Sequence, residues 1–437
     1  MMTNFPRLLW YLAGAIRRLY WDSQKLRKYQ EKRLRSVVRY AYNFVPFYHG
    51  KIREAGISPS DIKTLEDLSK LPIIRKDEFR LENPRRLVSV EFDIEKLKVV
   101  RTSGSSGKPF QLYINSAEDD WRKAIYMRAN ISCGQKPRDN WVAITAPHHF
   151  LDTTNTQRRL GIFAQTCISV FADINEQMRL VNEAKPDILD GYSGSLLLLA
   201  KGFQKGRVET IRPRIIFGTA ELIDNVSRRF IEQMFNAPFY DQFGCSEVDR
   251  TAWQCPEKTG YHMDVDSVIT QFVDDEGNDV SSGERGEIVY TSLFNYSMPL
   301  IRYAVGDIGV PSDEKCPCGR SLPLMEVVEG RKDSLLLLPD GQLLSPRTFT
   351  VALSMFELYD QIEQFLVVQE KVDLFKIYIK KKDIGVNEDV LGSGLLMHFG
   401  RMLNSKLNEV KFDVKFVEDL PVNKTGKHRA VVSELKM

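Results

Sequence analysis

From about residue 100 to residue 310 the chain alternates short β-rich runs with helical stretches, and this alternation limits the fold more than any other feature. Trp141–Thr145, Ile188-Leu189, Ile215-Ile216-Phe217, Val268–Val273 and Glu287–Thr291 read as strands. A chain that keeps switching between the two periods stacks helices on sheets, so an α/β fold is expected, neither all-β nor all-helical. With 437 residues the chain has room for two domains.

Residues 1–90 read as helices and turns. Leu34, Val37, Val38, Ala41 and Phe44 form an i, i+3, i+4, i+7 stripe over 31–44 that Pro46 should stop. Ser58-Pro59-Ser60-Asp61 reads as a turn and cap, and Thr64 to Leu68 opens a short helix. A domain boundary is expected at Gly330-Arg331-Lys332-Asp333, giving a large domain over 1–330 and a small one over 331–437. In the small one, Ser334–Leu338, Phe365–Gln369, Phe375–Lys380 and Val410–Phe416 read as strands, Asp340-Gly341 as a hairpin turn and Leu391–Leu407 as a helix. That is enough for a small α+β domain with its own core.

The balance of 43% hydrophobic and 27% charged residues is that of a globular protein, and a net charge of +3 gives no reason to expect nucleic acid. No run of 18 apolar residues exists to span a bilayer. The apolar start from Phe5 to Ile16 lacks a basic leader and runs into Arg17 and Arg18, unlike a signal peptide. The simpler reading is a first helix packed on the body; with its aromatic and basic residues it could also lie on a membrane surface. Six cysteines in this length are not a disulfide scaffold, and four of them fall between Cys245 and Cys318, which suggests metal ligation in a reducing, cytoplasmic setting.

Four segments carry chemistry. Thr102-Ser103-Gly104-Ser105-Ser106-Gly107-Lys108-Pro109 is a loop of glycines, hydroxyls and backbone N–H groups suited to surrounding phosphate oxygens. It is not a Walker loop, which would need glycine at 102 and a hydroxyl at 109. Tyr240-Asp241-Gln242-Phe243-Gly244-Cys245-Ser246-Glu247 ends in a carboxylate of the kind that holds Mg2+ beside a triphosphate. Arg302-Tyr303-Ala304-Val305-Gly306-Asp307 places an acid after a glycine turn, where it can accept hydrogen bonds from two ribose hydroxyls. Leu420-Pro421-Val422-Asn423-Lys424-Thr425-Gly426-Lys427 offers a lysine from a polar loop near the C-terminus, able to bring positive charge to a reacting phosphate. Taken singly, each is matched by a plain alternative: a surface loop, a solvated acid, a capped turn, a basic tail.

Their order and spacing resemble the adenylate-forming superfamily, and more narrowly the phenylacetate–CoA ligase family with its capsule-biosynthesis (CapK-type) relatives. The narrower likeness rests on Val45-Pro46-Phe47-Tyr48, on Leu68-Ser69-Lys70-Leu71-Pro72 followed by Lys76, and on Gly218-Thr219-Ala220-Glu221. It rests further on Met298-Pro299-Leu300-Ile301-Arg302-Tyr303 and Cys316-Pro317-Cys318-Gly319-Arg320. This resemblance, from about residue 30 onward, implies a large domain of β-sheets flanked by helices and a small mobile C-terminal domain. It implies that residues 102–108 hold the ATP phosphates, and that Ala220, Glu221, Asp241, Gln242, Phe243, Gly244 and Ser246 lie along the nucleotide. By the same likeness Glu247 faces Mg2+, Asp307 binds the ribose, Arg331 lies near ribose and phosphate, Asp333 is the hinge, and Lys427 bridges carboxylate and α-phosphate. The chain departs from the family in reading Gly-Thr-Ala-Glu-Leu over 218–222, in Phe243 for a tyrosine, and in Thr145-Ala146-Pro147-His148-His149-Phe150 where aryl-acid relatives place the acid pocket.

Cys255, His262 and the Cys316-Pro317-Cys318 knuckle supply three thiolates and an imidazole, a tetrahedral set suited to structural Zn2+, and family members resemble it; buried unligated cysteines are the plain alternative. Cys133 and Cys167 read as core residues. The expected reaction is ATP-dependent activation of a small carboxylic acid to acyl-AMP, then acyl transfer, with coenzyme A the implied acceptor. A carrier-protein thiol or a sugar amine in polysaccharide assembly are alternative acceptors, and a non-catalytic nucleotide-binding scaffold is the alternative of another class. Monomer and homodimer stay equally open.

Overall fold

The structure is a computed structural model that describes residues 3–101, 110–147, 150, 153–206, 211–220, 223, 225–329, 336–340, 343–344, 346–383, 385–403, 410–418, 420 and 431–435. Among these residues the largest sheet has twelve strands. Five run parallel, in the order Gln165–Ser169, Trp141–Thr145, Ile188–Tyr192, Ile215–Thr219 and Phe239–Cys245. Parallel neighbours need crossovers, and helices Asn155–Leu160, Ile174–Ala184, Ser193–Gly206 and Asn225–Phe235 supply them. Covered strands can be apolar throughout, which is why Trp141, Val142, Ala143 and Ile144 are all buried.

At Phe239–Cys245 the direction changes. Asp249–Gln254 returns antiparallel, with Gln242 opposite Trp253, and Tyr261–Met263, Leu324–Glu329, Tyr303–Ser312, Gly286–Ser292 and Val268–Val273 continue antiparallel from there. Ile74–Arg75, two residues from the N-terminal region, pairs parallel with Tyr303 and Ala304. The α/β expectation is met, with the mixed sheet turning from parallel to antiparallel beside the acidic segment at 241–247.

Ahead of the sheet, the predicted stripe is the second half of a longer helix, Ser23–Phe44, in which Leu34, Val37, Val38 and Ala41 are buried. Asp22 starts it, its carboxylate accepting the Lys25 N–H at 2.8 Å. Pro46 ends it as expected but also opens the next helix, Pro46–Glu54, at the first position, where a missing N–H costs nothing. The helix Phe5–Arg18 packs Leu8, Leu12 and Ala15 against the helix Ser116–Ser132. A buried charge cluster fixes its end. Arg18 Nε donates to Asp266 at 2.6 Å, Arg128 bridges Asp266 at 2.8 Å and Asp264 at 2.5 Å, and Arg250 meets Asp264 at 3.1 Å. Trp253 Nε1 adds a hydrogen bond to Asp264 at 3.0 Å, so both carboxylates are saturated although fully buried.

The tail forms a four-stranded sheet in the order Lys411–Phe416, Leu374–Lys381, Ile362–Lys371 and Val431–Ser433, with helices Pro346–Ser354 and Glu388–Leu403. Leu336–Leu337 pairs antiparallel with Leu343–Leu344, as the hairpin reading requires; Gly341 of its turn lies outside the described residues. Buried Phe349, Phe375, Leu395 and Phe399 of the tail are continuous with Val142, Leu189, Leu199 and Ile216 of the parallel layer, so in this arrangement the two share one apolar core.

Candidate active site

Glu247 sits just past the strand Phe239–Cys245, and its side chain is 6% exposed. Lys76 donates to its Oε1 at 2.7 Å and the Tyr303 hydroxyl reaches the same oxygen at 3.3 Å. The pairing of Ile74–Arg75 with Tyr303–Ala304 brings Lys76 here across 171 residues of sequence. Burial opposes ionisation of Glu247, but the Lys76 ammonium outweighs it and holds the carboxyl below its ordinary value. From the helix Ser116–Ser132, Arg122 donates to the backbone carbonyls of Ser246, at 3.3 Å, and Glu247, which fixes the turn that carries the acid. Asp307 lies close by: burial pushes the Cys245 thiol well up, and the charges of Glu247 and Asp307 add to it. Asp307 follows Gly306, whose φ of +83° is open to glycine at little cost, and the two sit within the strand Tyr303–Ser312 instead of a free turn.

The neighbouring strand ends hold other expected residues. Asp241 and Gln242 are buried and engaged within the protein: Tyr261 donates to Asp241 at 2.7 Å and Gln242 Nε2 donates to Asn130 at 2.7 Å. Burial pushes the Asp241 carboxyl up to about 6, against the Tyr261 hydrogen bond. Phe243, Gly244, Cys245 and Ser246 are half-buried. A side chain at Gly244 would meet the Asp249 carbonyl oxygen at 2.2 Å, so the hairpin closes only with glycine there. Ala220, at the end of Ile215–Thr219, has a φ of +72°, a left-handed backbone unusual for alanine and held by its surroundings. Thr102, Ser103, Gly104, Ser105, Ser106, Gly107, Lys108, His148, His149, Glu221, Arg331, Asp333 and Lys427 lie outside the described residues. The sequence reading took Lys76 only as part of a likeness and did not single out Arg122; both act through contacts between distant parts of the chain.

Cys255, His262, Cys316 and Cys318 converge, their ligand atoms all within 4.8 Å of one another. Cys255 follows the strand Asp249–Gln254, His262 lies on Tyr261–Met263, and the knuckle precedes Leu324–Glu329, so the cluster joins three adjacent strands. The Sγ atoms of Cys255 and Cys316 are 3.5 Å apart, and Cys318 Sγ is 3.4 Å from His262 Nε2. Ligand bonds of 2.0–2.3 Å to tetrahedral zinc imply about 3.8 Å between sulfurs and about 3.6 Å from sulfur to nitrogen, within a few tenths of these values. His262 Nδ1 faces the Leu322 carbonyl at 3.4 Å, which would hold Nε2 toward the sulfurs, and burial pushes the imidazole down to about 4, its neutral ligating form. The donor set fits Zn2+. Cys133 is buried as expected of a core residue, whereas Cys167 is half-buried.

No family model matches the chain. The phenylacetate-coenzyme A ligase of Thermus thermophilus is 27% identical over 344 residues, 77% of this chain and 77% of that protein. That of Aromatoleum evansii is 28% identical over 332 residues, 72% and 73% respectively. Protein CapK of Staphylococcus aureus is 24% identical over 440 residues, 93% of this chain and 89% of that protein. The chain is a relative of the phenylacetate-coenzyme A ligases and CapK. Among solved structures, 2-hydroxyisobutyryl-CoA ligase in complex with 2-HIB-AMP and CoA matches with a TM-score of 0.65 at 22% identity, over 95% of this chain and 91% of that one. A second structure of that ligase, in the postadenylation state, matches at 0.64 and 22% over 96% and 91%. The fold is therefore that of the adenylate-forming ligases.

Proposed function

We propose that the protein is an AMP-forming acid ligase that couples a carboxylic acid to coenzyme A. The observation that carries the reading is the pairing of a buried, ionised Glu247 with Lys76 and Tyr303 where the parallel strands end, in a fold shared with CoA ligases. Open α/β sheets bind ligands outside the carboxyl ends of their strands; Ala220 and Phe243 to Glu247 lie at those ends, and Asp307 is near enough for its charge to act on Cys245.

In the first step a carboxylate oxygen attacks the α-phosphorus of ATP, a new P–O bond forms, the bond to the β-phosphate breaks and pyrophosphate leaves. In the second, the thiol sulfur of coenzyme A attacks the acyl carbon, its proton passes to solvent, and the bond to AMP breaks. Two anions meet in the first step, so a cation between them lowers the barrier by electrostatics and positioning. Lys427 is assigned that role, residues 102–108 the phosphates, Asp307 and Arg331 the ribose, and Gly218 to Glu221 with Asp241 to Gly244 the base, Ser246 lying beside the nucleotide. Glu247 is assigned Mg2+; since an ammonium already stands 2.7 Å from its oxygen, the metal must share or displace that partner. The cysteine cluster is assigned a structural Zn2+, which would tie three strands beside the nucleotide segment. Residues 331–437 are proposed to turn as a lid, withdrawing Lys427 when the thiol enters; doing so exposes part of the shared apolar core.

A second acceptor is favoured by one finding: the sequence alignment with CapK spans 93% of this chain, more than those with the two phenylacetate-coenzyme A ligases named above. Exchange of labelled pyrophosphate into ATP, run over a panel of aryl, hydroxy, amino and fatty acids with and without coenzyme A, tests both. Exchange with an acid followed by thioester supports the ligase. Exchange without thioester moves the acyl group to another thiol or an amine, and no exchange with any acid leaves a nucleotide-binding scaffold.

A further inference from the structure

The helix Phe5–Arg18 has two apolar sides. One is buried against the body through Leu8, Leu12 and Ala15. The other carries Pro6, Leu9, Trp10 and Ala13, spaced i, i+3, i+4, i+7, and all four are exposed; Trp10 is 73% exposed, and Tyr20 just beyond the helix 61%. Positive charge is concentrated in the same stretch of sequence. The helix holds no acidic residue, Arg17 continues the outward row, and exposed Lys25, Lys28, Lys32 and Arg39 follow on the helix Ser23–Phe44. Residues 1–44 carry ten lysines and arginines against Asp22 and Glu31, a net +8, whereas the whole chain is +3, so the remainder is −5.

We propose that this outward face docks the protein on an anionic lipid surface, with Leu9 and Trp10 entering the headgroup boundary and the basic residues beside them meeting lipid phosphates and carboxylates. A helix with a bulky apolar face, an interfacial tryptophan and tyrosine, and flanking Lys and Arg is the form that lies in that boundary. The same charge argues against a second copy seated here, because each partner would bring its own exposed Arg17, Lys25, Lys28, Lys32 and Arg39. The four side chains are also few against the roughly 20–30 residues a side of a stable protein interface. A nucleic acid would satisfy the charge but leave Leu9 and Trp10 without an apolar partner.

The test uses the full chain and vesicles of phosphatidylcholine with and without phosphatidylserine, read by co-sedimentation and by quenching of tryptophan with brominated lipid. The chain has five tryptophans, so the Trp10 signal is the difference from a Trp10→Phe variant. Partition should be at least about tenfold stronger on the anionic vesicles and fall as salt rises. Leu9→Ala with Trp10→Ala should lower it about tenfold or more while circular dichroism and melting stay as in the parent. Equal partition on both vesicles, or anionic binding that the double substitution leaves intact, overturns the proposal. So does lipid-free self-association abolished by Trp10→Ala, or binding to a DNA duplex without binding to vesicles.

Discussion

Lys76→Met would remove the cation beside Glu247 and leave a carboxylate that is 6% exposed without its counter-charge. Breaking a buried ion pair in this way costs about 3–5 kcal/mol, and since the Lys76 side chain is itself 23% exposed, water can take over part of its role, leaving about 2–3 kcal/mol. Spread over the proposed large domain of roughly 330 residues, with an unfolding entropy of about 2.1 cal/mol/K per residue, that lowers the melting temperature by about 3–4 °C. The pH dependence gives the sign. Glu247 is held below its ordinary value in the folded parent, so the pair contributes stability above the unfolded carboxyl value and loses it as pH falls through the folded one. In the variant burial loses its main opponent and that carboxyl rises, so the deficit against the parent should be largest at neutral pH and shrink toward about pH 5. Melting of the parent, Lys76→Met, Glu247→Gln and the double variant across this range completes a thermodynamic cycle. The double variant should recover stability to within about 1 kcal/mol of Glu247→Gln. If Lys76→Met melts with the parent at neutral pH, or the double variant is no better than Lys76→Met, the pair does not hold the acid as described.

Plasma mass spectrometry of the purified protein should find one zinc per chain, and Cys318→Ser should lose it and lower melting by several degrees; metal-free protein with parental stability removes the assignment. Gly244→Ala should destabilise by about 1–3 kcal/mol, because its methyl would stand 2.2 Å from the Asp249 oxygen, and parental melting would show that the hairpin yields. Lys427→Ala should slow adenylation by about 10²–10³-fold and spare thioester formation from preformed acyl-AMP, as single-turnover assays of each half would show. Equal loss in both halves would remove the role given to that lysine.

The strands were readable because period and residue type agree locally: Val268–Val273 was placed to the residue, and Trp141–Thr145 likewise. The helix Ser23–Phe44 was read short, since between Ser23 and Gln30 only Leu26 and Gln30 face inward and the stripe begins properly at Leu34. The candidate ligand set was legible from residue type and from Cys-x-Cys spacing, and the hairpin Asp249–Met263 supplies the closeness that spacing could not. Asp307 reads as a turn residue in the sequence because Gly306 precedes it, whereas the strand Tyr303–Ser312 runs through both. What stayed hidden was pairing at a distance. Lys76 with Glu247, Arg122 with the Ser246 carbonyl, and Arg18 with Asp266 across 248 residues leave no local trace, because their spacing is set by the sheet order.

Those buried arginines and aspartates decide what sort of mooring the first helix can be. Peeling it off would strand Asp266 without Arg18, so the helix moves with the sheet behind it as one rigid wall. A surface that gripped its outer side would thereby fix the heading of the whole catalytic body, and a substrate arriving along that surface would always meet the same flank.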